Sequence, residues 1–364
     1  MKEGKTLVQL AMEVERQAQA MQDFIVPTAD LKMEIAEESR PIVRVGTESF
    51  GINEIGHDTL ATRMEIPARY YDKMRTEFPE LLAQNVNGWA GHPSNSGVSR
   101  MVRTLDNDVR AVLSDSYSRK DNYDFLNSVL PSIQEAQVGE IKVQSSEITD
   151  RRMYLQMTFS EVSQEFELDK GDRKVGDVVQ AGLILTNSEV GYGCREIRFL
   201  VFTLSCTNGM VVPREVAGMR TRHVGGKLGN GNLYQLSLEA QDADTKAFSL
   251  ATRDIVRQMV SKDHLARVVG QLQDANSRKM TGNVTEGVKV LANNFRLNQN
   301  EQESVLDHLI RNGNLSQYGL INAVTRTAND HPSYDRAVEL EEIGGRLFQM
   351  PPAQLKPILE AKAA

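Results

Sequence analysis

The chain has 364 residues, 40% hydrophobic and 25% charged, with 26 Gly and 11 Pro, a composition that excludes a disordered, collagen-like or disulfide-built protein and favours about two domains. A formal net charge of −7 gives no general attraction to nucleic acid or an anionic membrane, so such binding needs a local basic surface. Two cysteines, Cys194 and Cys206, suit a reducing compartment, and Glu3, Glu13, Glu15 and Asp23 interrupt the apolar run that a signal peptide or membrane span requires.

From Thr6 to Asp23, Leu7, Val14 and Met21 form one row beside Leu10, Ala11 and Ala18, predicting one amphipathic helix that packs on its own domain or on another subunit. Leu31, Met33 and Ile35, then Val43 and Val45, alternate with polar residues as a strand pair does. Residues 53–89 read as short helices, with Pro67 and Pro79 suited to first turns, and Trp89 is expected in the core or at a domain seam. The pieces RMVRTL and VRAVLSD around Asp106-Asn107-Asp108 predict a β-hairpin, followed by a helix with Asp121 as its N-cap that frays near Gly139.

Strand patterns dominate residues 141–212. Both faces are apolar in the run from Ile197 to Leu204, which predicts a central strand; Asn208-Gly209 is read as a tight turn with Met210 to Val212 returning antiparallel. The charged stretch from Ser160 to Asp177 is read as an exposed loop. One long helix is expected across Asp242 to Asn276, with Phe248, Ile255, Met259, Leu265, Val268, Val269 and Leu272 facing the core. Further helices follow near 286–294, 300–311, 317–329 and 334–348. The expected fold class is α+β, a central mostly antiparallel sheet with N-terminal helices and a helical C-terminal third. The divisions are 1–98, a helical and strand N-terminal region; 99–232, a strand-rich core; and 233–364, a helical C-terminal region.

No catalytic motif stands out. The Gly-rich piece GGKLGNGN at 225–232 fails the phosphate-loop pattern, since Leu228 follows Gly226-Lys227, and reads as a flexible connection. The six histidines are scattered and the two cysteines are not zinc-spaced, so neither a metal nor a cofactor is expected. Asp106 and Asp108 read as turn residues and Glu189 as a loop carboxylate. The feature that points to function is charge segregation: from Arg195 to Lys227 six basic residues face two acidic ones, a net +4 inside an acidic protein. Arg195, Arg198, Arg220, Arg222, His223 and Lys227 are therefore candidates for phosphate contacts, with Arg110, Arg119 and Lys120 extending the track and Tyr117 stacking on unpaired bases. The competing structural reading pairs these arginines with the acidic stretch 161–177.

The pieces IPARYYDKM, LLAQNVNGW, RMVRTLDNDVRAVLSDSYSRKDNYDFLNSVLP, RRMYLQM, LTNSEVGYG, LSCTNGMVVP and YGLINAVTRTAND, between residues 66 and 331, resemble the phage/plasmid-like family, a domain of unknown function found on phages, prophages and plasmids. That resemblance implies a mobile-element protein of a bacterial cytoplasm, associated with replication and recombination, and carries over no reaction or catalytic residue. The combined expectation is a non-enzymatic, homo-oligomeric protein that binds single-stranded nucleic acid and no membrane. Alternatives are an interaction protein that meets a host factor, and a metal-dependent nuclease.

Overall fold

A computed structural model describes residues 1–362 apart from 38–39, 171–172, 205–207, 214–217 and 222–237. The expected α+β class is observed, with two six-stranded sheets where the sequence suggested one. Helix α1 (Leu7–Ala20) starts at a capping box, in which the Thr6 hydroxyl accepts from Gln9 N while the Gln9 side chain accepts from Thr6 N. It buries Leu10 and Val14 and ends three residues before the predicted Asp23. The cause is strand β1 (Gln22–Pro27), which pairs antiparallel with a strand some 80 residues later.

The first sheet adds β2 (Lys32–Ile35), β3 (Pro41–Val45), β4 (Glu48–Ile52), β5 (Ser99–Leu105) and β6 (Asp108–Ser114), in the order β1-β5-β6-β4-β3-β2. The β5–β6 hairpin forms as predicted, with Asp106 and Asn107 both at positive φ (51° and 67°). Strand β4 pairs parallel with β6 only over Gly51↔Asp108 and Ile52↔Val109. The chain then turns into α2 (Glu54–Arg63), which runs beside β6 where another strand would lie. Its side chains replace the missing ladder: the Thr59 hydroxyl accepts from Val112 N at 2.9 Å, and Arg63 Nε donates to Val112 O at 3.4 Å. Helices α3 (Ala68–Glu77) and α4 (Pro79–Ala90) complete this layer over a core that includes Leu60, Tyr71, Leu82, Val86 and Val102. Trp89 departs from expectation. Leu82, Val86 and Ala90 take the inward stripe of α4, leaving the indole 43% exposed with its ring 5.3 Å from that of His92.

The second sheet comprises β7 (Ile141–Ile148), β8 (Met153–Lys170), β9 (Arg173–Asn187), β10 (Arg195–Thr203), β11 (Asn208–Val211) and β12 (Gly218–Thr221). Its order is β11-β10-β9-β8-β7, with β12 also pairing β10, and every pairing is antiparallel. The stretch expected as a charged loop is instead the far end of the β8–β9 hairpin, paired from Ser163↔Gln180 to Lys170↔Arg173. In sequence this stretch carries Glu165, Glu167 and Asp169 at alternate positions among further charges, so it looks like a loop when one apolar face is sought. Asn208 and Gly209 lie within β11, paired with Thr203 and Phe202.

Helix α5 (Asn122–Glu135) precedes β7. The C-terminal part contains α6 (Leu238–Met259), α7 (Lys262–Ser277), α8 (Val284–Phe295), α9 (Gln299–Asn312), α10 (Gln317–Asp330), α11 (Tyr334–Phe348) and α12 (Pro352–Leu359). The single helix expected from Asp242 to Asn276 is two, because Ser261 adopts an extended conformation and its side chain accepts from His264 N, starting α7. These helices cover both faces of the second sheet. Leu183, Phe199 and Val201 share a core with Val268, Leu272 and Ile321, while Ile184, Leu200 and Val211 pack with Tyr334 and Val338. Among the described residues no helix is long and apolar enough to cross a membrane.

Candidate nucleic-acid interface

Where the two sheets meet, the residues most distinctive in sequence form a buried clasp. Arg103 on β5 has a fully buried side chain that donates from Nε to Asp23 Oδ1 at 2.8 Å and from Nη1 to the Glu189 carbonyl at 3.0 Å, and pairs Nη2 with Asp121 Oδ1 at 2.7 Å. Burial opposes its charge, but Asp121 and Asp23 outweigh this and hold the guanidinium above its ordinary pKa. Asp121 is the N-cap residue of α5, as predicted, but its side chain pairs with Arg103 and makes no cap hydrogen bond. Glu189 in turn pairs with Arg110 at 2.7 Å and accepts from Asn122 N at 2.6 Å. Asn187 Nδ2 donates to Lys120 O and to Asn122 Oδ1, and the Tyr117 hydroxyl donates to Ser188 O, each at 2.9 Å. Glu189 is thus a buried strut, 6% exposed.

Beside the clasp opens a cleft of about 380 Å³ between α2, the end of β6 and residues 190–194. Asp58, Thr59, Thr62 and Arg63 form one wall; Val112, Leu113 and Val190 back it as buried apolar residues; Tyr117, Tyr192 and Cys194 line the rest. The chain bends sharply at Gly191, φ +86°, where a larger residue would be strained. The Tyr192 hydroxyl donates to Asp58 Oδ2 at 2.9 Å, its carbonyl accepts from Arg152 Nε at 2.7 Å, and the Arg151 guanidinium lies 5.1 Å from its ring centroid. Burial, followed for Tyr192 by the bond to Asp58, pushes the pKa of both tyrosines up. Arg63 is held below its ordinary value by burial and by the charge of nearby Arg100, whose Nε is buried without a hydrogen bond. Arg63, Arg100, Arg151 and Arg152 make no ion pair with a carboxylate among the described residues.

The candidates chosen from sequence are dispersed. Arg110 is buried against Glu189. Arg198, 7% exposed, pairs with Glu342 at 2.5 Å and Glu196 at 3.4 Å; Arg220 also pairs with Glu196, at 3.3 Å. Arg195 is buried with its guanidinium 4.3 Å from the Phe248 ring centroid. Arg119 is half exposed and pairs with Asp23 at 3.2 Å, and Lys120 is half-buried with its carbonyl in the clasp. Arg222, His223 and Lys227, with the Gly-rich piece, lie outside the described residues. The acids found beside Arg198 and Arg220 come from β10 and α11, where the sequence reading looked to residues 161–177. Of the sequence candidates, Tyr117 reaches the cleft; Arg63, Arg100, Arg151, Arg152 and Tyr192 were missed, being too far apart in sequence to form a charged run. The pair Arg151-Arg152 before a strand, with the glycines flanking Tyr192, was the available signal. Among the described residues no three His, Cys, Asp or Glu side chains are grouped to hold a metal ion.

No curated protein and no solved structure matches this chain. A family match covers residues 111–344, from within β6 to within α11, and so includes Tyr117, Glu189, Arg151, Arg152 and Tyr192 but not Arg63, Arg100 or Arg103. By that match the chain belongs to the family described as Domain of unknown function (DUF932).

Proposed function

We propose that this protein binds single-stranded nucleic acid without chemical conversion, through the cleft beside α2. The observation that carries the reading is a cleft lined by Arg63, Tyr117 and Tyr192, with Arg100 near Arg63 and with Arg151 and Arg152 against Tyr192, none of these four arginines making an ion pair with a carboxylate among the described residues. In a protein of net charge −7, where Arg103, Arg110 and Arg119 at the seam are matched by acids, arginines without such a match are where polyanions concentrate. Guanidinium groups hold phosphate oxygens and release counterions, while tyrosine rings offer sequence-tolerant stacking. We further propose that such a strand belongs to the replication or recombination of a mobile element in a host cytoplasm, a reading supported by the resemblance of the sequence to phage- and plasmid-borne proteins. The sequence between Arg222 and Ser237 adds Arg222, His223 and Lys227 with no acid among them, a further source of phosphate contacts.

Fluorescence anisotropy with labelled single-stranded oligonucleotides over a range of salt tests this. Affinity is expected to fall as salt rises, and Arg63→Ala with Arg152→Ala together should weaken binding and lower the salt slope by about two. Negligible binding at low salt, or affinity indifferent to salt, overturns the reading.

A further inference from the structure

We propose that the cleft seats one unstacked base, with the adjoining phosphate on Arg63. This rests on the single-strand reading above and goes beyond it, because simple backbone tracking needs a charged surface and no cavity. The volume of about 380 Å³ lies in the range of pockets that enclose small planar ligands. Val112, Leu113 and Val190 are buried apolar residues behind the lining, so the surface open to the body of a base is that of Tyr117, Tyr192 and residues 191–194, and Thr59 and Thr62 stand on the α2 side. The tyrosine rings are held in place by their hydroxyls, Tyr117 on Ser188 O and Tyr192 on Asp58 Oδ2. They are thereby positioned before a ligand arrives, which lowers the entropy lost on binding. Arg63 is fixed by its Nε bond to Val112 O, leaving both Nη groups for an anion at the cleft wall.

Asp58 adds a preference. Its Oδ2 accepts from Tyr192, while Oδ1 makes no hydrogen bond among the described residues. A carboxylate oxygen accepts from an exocyclic amino group, which cytosine, adenine and guanine carry and thymine lacks. Bases inside a duplex are stacked and paired and reach no such seat without being extruded, so single strands are favoured over duplex.

The test uses the full chain and three strands of equal length in the anisotropy assay: oligo(dC), oligo(dT), and a strand whose sugars carry no bases. The base-free strand is expected to bind about tenfold more weakly than oligo(dC), with a similar salt slope. Thr62→Trp fills the cleft from an exposed helix position and removes no charge; it should cost oligo(dC) a similar factor while leaving binding of the base-free strand unchanged. If oligo(dC) binds in a salt-dependent way but the base-free strand binds equally well, the base seat is overturned and the single-strand reading stands. That comparison needs no variant to fold. Equal affinity for oligo(dC) and oligo(dT) overturns the role given to Asp58. If none of the strands binds, both proposals fall.

Discussion

Arg103 shows how little change is tolerated by the ion pairs that accompany the apolar cluster of Ile55, Met101, Ala111, Leu113 and Val190 at the seam. Its guanidinium has no exposed surface and serves Asp23, Asp121 and the Glu189 carbonyl together, so removing it leaves two carboxylates desolvated with their principal partner gone. Arg103→Met is therefore expected to lower stability by about 3–5 kcal/mol, read as a lower denaturation midpoint in urea. His57 supplies a pH dependence. Burial, and then the charge of Arg75, lower its pKa from 6.5 to about 4, and its Nδ1 lies 2.8 Å from the Tyr71 hydroxyl. Between those values the unfolded chain takes up a proton that the native ring refuses. This contribution is constant above the ordinary value and declines as the pH drops towards 4, by up to roughly 3 kcal/mol. Urea midpoints at about pH 7 and about pH 5 should differ less in His57→Gln than in the parent. Glu341 behaves in the opposite sense: complete burial, opposed by the Gln156 hydrogen bond, raises it from 4.5 to about 8. The native state keeps this proton where the unfolded chain loses it, so stability falls as the pH rises from 4.5 towards 8. Glu341→Gln should flatten that fall, as thermal melts across the interval would record.

At the level of elements, α2 is a helix performing a strand's task. Thr59→Val deprives Val112 N of its acceptor with little change in volume and is expected to cost about 1–3 kcal/mol, accompanied by faster amide exchange at Val112. Gly345 on α11 marks an equally close approach, since a Cβ there would stand 1.9 Å from the Val211 carbonyl oxygen of β11. Gly345→Ala should force helix and sheet apart and lower the melting temperature. These contacts also mark the limit of what the sequence discloses. The β5–β6 hairpin was legible because Asp106 and Asn107 favour positive φ, and α8 to α11 because their apolar residues recur at helical spacing. The pairing of β1 with β5, the placement of α2 along β6 and the charged β8–β9 ribbon were not, since each depends on a partner that local pattern does not name. The same holds for the cleft. Charge counting along the chain selects Arg195 and Arg198, which folding commits to Phe248 and Glu342, and passes over Arg63 and Arg152, which the fold brings to the cleft wall and to the Tyr192 carbonyl.

For the molecule as a whole, the two sheets have separate cores joined at the seam by the Arg103–Asp121 and Arg110–Glu189 pairs together with a small apolar cluster of Ile55, Met101, Ala111, Leu113 and Val190. Weakening that joint should uncouple them: calorimetry of Arg103→Met is expected to split or broaden a transition that is single in the parent, with the N-terminal layer melting first. The family match begins at residue 111, inside β6, a strand bordered by β5 on one side and by β4 and α2 on the other. A fragment cut at that point would carry half a strand stripped of its neighbours, with Ala111, Val112 and Leu113, all buried in the intact chain, turned outward to water. Such a piece should be recovered insoluble where the longer protein is not, because the boundary shared by sequence kinship is not a boundary of autonomous folding.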